Sequence, residues 1–94
     1  MNEKTSQMGE LVSLIAKALV DAPQEVHLRG VDGANTTVLE LHVAKEDVGK
    51  VIGRQGRTAQ AIRILVGAVS AKINRRTVLE IIDERQKAVA QPRN

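Results

Sequence analysis

The chain has 94 residues, enough for one small domain and too few for an enzyme with separate cofactor and substrate domains. Hydrophobic residues make up 43% and charged residues 27%, an ordinary globular balance and not that of a disordered chain. With no Phe, Tyr, Trp or Cys, the chain has no means of stacking bases on aromatic rings and no disulfide, thiolate nucleophile or zinc knuckle, and its core must be aliphatic. The net charge of +3 is unevenly spread. Val48 to Leu79 contains seven basic residues and no acidic one, while the remainder holds seven basic against eleven acidic residues. The polar start, carrying Glu3 and Lys4, lacks a secretory profile. The longest apolar stretch, Leu11 to Val20, is interrupted by Ser13 and Lys17 and is about half of the ~20 residues a spanning helix needs. A cytoplasmic protein is the expectation.

In chain order, residues 1–8 read as a flexible start. Met8, Leu11, Val12, Ile15 and Leu19 then fall at helical spacing, predicting a helix from about Gly9 to Val20 that stops before Pro23. Glu25–Val31 and Thr36–Val43 alternate polar and apolar residues around an Asp32-Gly33 turn signal, which predicts a β-hairpin. Glu46–Ile52 reads as a short helix whose acidic first residues suit an N-terminus, and it ends in Gly53-Arg54-Gln55-Gly56. A second helix puts Ile62, Leu65, Val66, Val69 and Ile73 on one face, runs to about Lys72 and ends at Asn74. Thr77–Ile82 reads as the last strand and residues 85–94 as a polar C-terminal tail, leaving 9–84 as the domain.

The order α-β-β-α-α-β implies an α+β fold. The first two strands pair antiparallel, the last lies parallel to the second because a helix pair joins them, and the helices cover one face of the three-stranded mixed sheet. Val26, Leu28, Leu39, Leu41, Leu79 and Ile81 should be buried, with Glu25, His27, Arg29, Glu40 and His42 facing water.

The Gly53–Gly56 loop carries the chemistry. Two glycines three apart permit positive φ and let a ligand's backbone come close. The following helix aims its free N–H groups at the loop, and Lys50, Arg54 and Arg57 add full charges, so phosphate is the expected ligand. A Walker A loop is excluded, because its leading glycine would have to stand at Val51, and the spacing Gly49, Gly53, Gly56 does not fit a dinucleotide fingerprint.

Val51-Ile52-Gly53-Arg54-Gln55-Gly56 resembles the V-I-G-x-x-G signature of KH domains, which bind single-stranded RNA and DNA. The element order is similar to their type II arrangement, and the run from Asp47 to Ala59 resembles the small bacterial KhpA family. Ala59 departs from the broad pattern, which has a large aliphatic residue there, and implies a looser core at that turn. The resemblance implies a loop that grips the sugar-phosphate backbone of about four nucleotides while bases cross a shallow apolar groove. Gly53 and Gly56 would admit the backbone, Arg54 and Gln55 would point to solvent and phosphate, Lys50 and Arg57 would flank them, and Val48 and Gly49 would lie near the groove; Ile52 lies there too, with a core role as its alternative. It further implies an RNA chaperone or post-transcriptional regulator touching cell division and envelope growth, acting as a homodimer or with a larger KhpB-like RNA-binding partner.

A second stripe, Ala61, Ile64, Ala68 and Ala71 with Leu65 at its border, lies away from the Ile62-centred core face and suggests a dimer interface. Arg63, Lys72, Arg75 and Arg76 either extend the positive surface or merely solubilise. His27 and His42 read as surface histidines, not metal ligands, and Glu46 and Asp47 as helix N-terminal charges; neither a cofactor nor enzymatic activity is expected. The contrary reading is a protein-interaction adaptor with little nucleic-acid affinity.

Overall fold

A computed structural model describes residues 3–83. Its elements are α1 (Glu3–Leu19), β1 (His27–Asp32), β2 (Thr36–His42), α2 (Val48–Ile52), α3 (Arg57–Ile73) and β3 (Arg76–Ile81), with single 3-10 turns at Pro23–Glu25, Lys45–Asp47 and Arg54–Gly56. This is the expected order. The sheet runs β1-β2-β3, antiparallel then parallel, with Leu28 opposite Leu41 and Leu39 opposite Leu79.

Leu39 and Leu41 are fully buried at the centre of the inner sheet face, where Val12 and Ala16 of α1, Val48 and Val51 of α2, and Ile62 and Val66 of α3 cover them. Neighbouring strand positions alternate, so Val38, Glu40 and His42 lie on the outer face. Leu28 and Ile81 are half-buried and pack against this core.

Three boundaries differ from the sequence expectation by two residues or more, the first being that α2 begins at Val48 and not at Glu46, which lies in the Lys45–Asp47 turn. Residues 3–8, read as part of a flexible start, are the first turns of α1. The reason is Thr5, which is fully buried and continues the stripe of Met8, Val12 and Ala16 one turn towards the N-terminus, a polar residue at a core position that an apolar periodicity passes over. Glu25 belongs to the Pro23–Glu25 turn, whose Val26 N–H donates to Pro23 O at 3.1 Å, so β1 starts two residues late. The tail assigned to 85–94 lies outside the described residues.

Arg75 is neither a solubilising group nor a free cation. Its Nε donates to Thr37 Oγ1 at 2.8 Å and its Nη2 to Gly33 O at 3.0 Å, with Asp32 Oδ1 at 3.6 Å, so it ties the start of β3 to the hairpin turn. Arg63 has a structural contact too, its Nε donating to Leu79 O at 3.2 Å along the free edge of β3. His27 and His42 face each other in the hairpin register; no group of three or more metal-binding side chains forms among the described residues. No helix among them is long and apolar enough to cross a membrane.

Candidate functional site

The loop between α2 and α3 is a single tight turn built on left-handed backbone. Gly53 has φ 80°, Gln55 φ 58° and Gly56 φ 75°, and the turn is closed by Gly56 N–H donating to Gly53 O at 3.0 Å and by Arg57 N–H donating to Arg54 O. The two glycines thus adopt the positive φ expected of them. Gln55 does so as well, although an L side chain in this region costs about 1–2 kcal/mol. Gly53 is required twice over, because a Cβ there would also lie 2.6 Å from Thr58 Cβ and 2.8 Å from Thr58 N.

α3 starts directly after Gly56, and no side chain caps it. Its seventeen residues direct the positive end of the helix dipole at the loop. Arg54, Gln55 and Arg57 are exposed, and among the described residues the Arg54 and Arg57 side chains have neither a carboxylate nor a hydrogen-bond partner. Two arginines without a partner among the described residues, a helix start with no side-chain cap, and open space where a Cβ on Gly56 would stand therefore meet at one turn.

Gly49 is exposed on α2, and a Cβ placed on it would meet nothing within 4 Å. Packing does not demand glycine there. Val48 does not join the site: it is fully buried, and its side chain belongs to the core beside Val51. The resemblance set Val48 near the groove, but α2 is one turn long and its inward face takes both valines. Ile52 is half-buried and packs against the core, the alternative role held for it.

Lys50 is also not free. Its Nζ lies 3.3 Å from Asp21 Oδ2 and 3.5 Å from Asp47 Oδ1. Asp47, expected as a helix N-terminal charge, makes no cap hydrogen bond to α2; it is 2% exposed and accepts the Ala22 N–H at 3.0 Å. Burial acts to raise the Asp47 carboxyl, but the N–H groups of Ala22 and Asp21 and the charge of Lys50 outweigh it and hold the carboxyl below its ordinary value. The hydrogen bond and charge of Asp21, ahead of the opposing effect of burial, push the Lys50 ammonium up. The i, i+3 spacing of Asp47 and Lys50 was the one sequence signal for this pair; the contact with the α1–β1 connection had none.

Ala61, Ile64, Leu65, Ala68 and Ala71 are all exposed on α3, Ile64 at 63% and Leu65 at 49%. Further along, a groove of about 310 Å³ between α1 and α3 is lined by Met8, Leu11, Val69 and Ile73 and edged by Lys4 and Lys72. On the opposite flank of α3, a groove of about 240 Å³ against the edge of β3 is lined by Val66, Val78 and Leu79 between Arg63 and Arg76.

A three-stranded mixed sheet covered on one face in the order α-β-β-α-α-β, with a G-x-x-G turn joining its second and third helices, defines a KH domain of type II arrangement. The family model described as "KhpA/KhpB, KH domain" matches residues 9–81. Relatives named RNA-binding protein KhpA include that of Borreliella burgdorferi, 55% identical over 79% of this chain and 90% of its own. Those of Chlamydia trachomatis and Caldanaerobacter subterraneus are 51% and 56% identical, over 83% and 80% of this chain and all of theirs. No solved structure matches. The chain belongs to the KhpA/KhpB KH-domain family.

Proposed function

We propose that this protein binds single-stranded RNA, its Gly53–Gly56 loop gripping the sugar-phosphate backbone. The observation that carries the reading is the loop itself: two exposed arginines, without a partner among the described residues, at a left-handed turn and the start of α3, which no side chain caps. Phosphate oxygens approach the glycines, Arg54 and Arg57 supply charge, Gln55 supplies an amide, and Gly49 leaves room for the strand beside α2. The apolar groove between α3 and β3, with Arg63 about 9 Å of helix rise beyond Arg57, offers the bases a non-aromatic bed. The name shared by the relatives supports RNA as the ligand over DNA.

Without aromatic stacking worth about 1–3 kcal/mol per base, a single domain should bind in the micromolar range, weakly selective and sensitive to salt. Pairing two domains raises the usable affinity through effective concentration. The exposed Ile64 and Leu65 favour such pairing through α3, with a second copy or a KhpB-like partner. Weak, salt-sensitive RNA binding of this kind suits a role in post-transcriptional regulation or RNA chaperoning.

Fluorescence anisotropy with labelled single-stranded RNA tests the reading. Arg54→Asp combined with Gln55→Asp keeps both glycines and opposes like charge to phosphate. Binding by the wild type that salt weakens, lost in a double variant of unchanged helicity, is the expected result. Equal binding by both would move the site away from the loop, and no binding by either would favour the adaptor reading.

A further inference from the structure

Lys50 sits three residues before Gly53, on the helix that leads into the loop, and although its side chain is partly exposed its ammonium lies between two carboxylates, 3.3 Å from Asp21 Oδ2 and 3.5 Å from Asp47 Oδ1. One of them, Asp47, is buried and accepts the Ala22 N–H, so the pair joins α2 to the connection between α1 and β1. α2 has five residues, too few to hold a helical shape without tertiary support, and only Val48 and Val51, with the half-buried Ile52, anchor it in the core. Gly53 N–H in turn donates to Gly49 O at 2.8 Å, so the orientation of this single turn is handed directly to the loop. Were Lys50 to swing out to a phosphate, the buried Asp47 would keep its backbone N–H partners but lose the ammonium beside it, an unfavourable exchange when Arg54 and Arg57 have no partner among the described residues.

We infer that Lys50 and Asp47 are positioning residues for nucleic-acid binding: clasped with Asp21, they orient α2 and the Gly53–Gly56 turn, and Lys50 itself contacts no phosphate. This rests on the RNA-binding reading above. It separates two roles that a row of basic residues conceals, since Arg54 would neutralise a phosphate while Lys50 would hold the frame that presents Arg54.

The salt dependence of affinity tells a phosphate contact from a positioning residue, because each phosphate contact on a single strand adds about 0.7 to the slope of log affinity against log salt. The experiment measures that slope by anisotropy with labelled single-stranded RNA for the wild type, Arg54→Met, Lys50→Met, Lys50→Arg and Asp47→Asn. Amide hydrogen exchange at residues 53–57 is followed in the same variants without RNA. Arg54→Met should lower the slope by about 0.7 with loop exchange unchanged. Lys50→Met and Asp47→Asn should weaken binding severalfold, keep the wild-type slope and speed loop exchange, and Lys50→Arg should restore both affinity and protection. A slope lowered in Lys50→Met as in Arg54→Met, or loop exchange unchanged in Lys50→Met, overturns the inference. If the wild type itself shows no salt-dependent binding, the RNA-binding reading fails by that result. Loop exchange then decides whether the clasp orients the turn: faster exchange in Lys50→Met upholds it, and unchanged exchange overturns it.

Discussion

A Cβ on Gly53 would stand 2.6 Å from the Cβ of Thr58. The first glycine of the loop is thereby locked to the second residue of α3, and the turn is as much a packing unit as a ligand site. Gly53→Ala combines that collision with a φ of 80° and should destabilise the fold by at least about 2 kcal/mol, read from denaturant unfolding. Thr58→Ser should not rescue it, because the Thr58 Cβ and backbone N remain.

Gly49 makes the opposite case. It lies in α2 with no positive φ and nothing for a side chain to meet, so Gly49→Ala should stabilise the protein by up to about 1 kcal/mol through helix propensity. On the proposed reading the same methyl obstructs the RNA strand. A higher melting temperature together with weaker RNA binding is the expected pair of results, and unchanged affinity would remove Gly49 from the interface.

Asp47 sets an acid limit. Its folded pKa lies below the ordinary 3.8, so the unfolded chain takes up protons first and stability falls with falling pH. The contribution is complete above about pH 5, about a unit above the unfolded value, and disappears as pH drops through the depressed value. Asp32 shares the sign, lowered by the Thr37 hydroxyl first and by Arg75 further on. Thermal melts from pH 6 to the acid limit, sampled in steps of about one unit, should show a shallower decline in Asp47→Asn than in the wild type.

Ile64 tests the partner face. Because it is 63% exposed and outside the core, Ile64→Lys should leave helicity and melting temperature nearly unchanged while sedimentation shows a monomer. A dimer that persists in this variant would place the contact elsewhere than the Ala61–Ala71 stripe.

Much of this architecture was legible because periodicity and turn chemistry agreed. Leu39 and Leu41 alternate into the core, Asn74 ends α3 in the left-handed conformation with φ 57°, and both loop glycines take positive φ as their spacing required. What stayed hidden depended on long-range partners or on polar atoms in apolar places. Thr5 extends α1 because its buried position is set by packing and not by hydrophobicity. Arg75 looked like part of a basic surface, but its four contacts come from Asp32 to Thr37, some forty residues away. Within the site, charge count alone overstated the cations available to a ligand, since Lys50 is paired across the fold with Asp21, and the resemblance set near the groove a Val48 whose side chain a one-turn helix turns inward.

Whether RNA is held at the loop joining α2 to α3 can be read from backbone amide chemical shifts on titration with a short single-stranded RNA. The largest changes should fall on Gly49 and on Gly53 to Arg57, while Arg29, Glu40 and Glu80 on the outer sheet face stay still. Changes concentrated on that outer face, with the loop amides unmoved at saturation, would contradict binding at the loop.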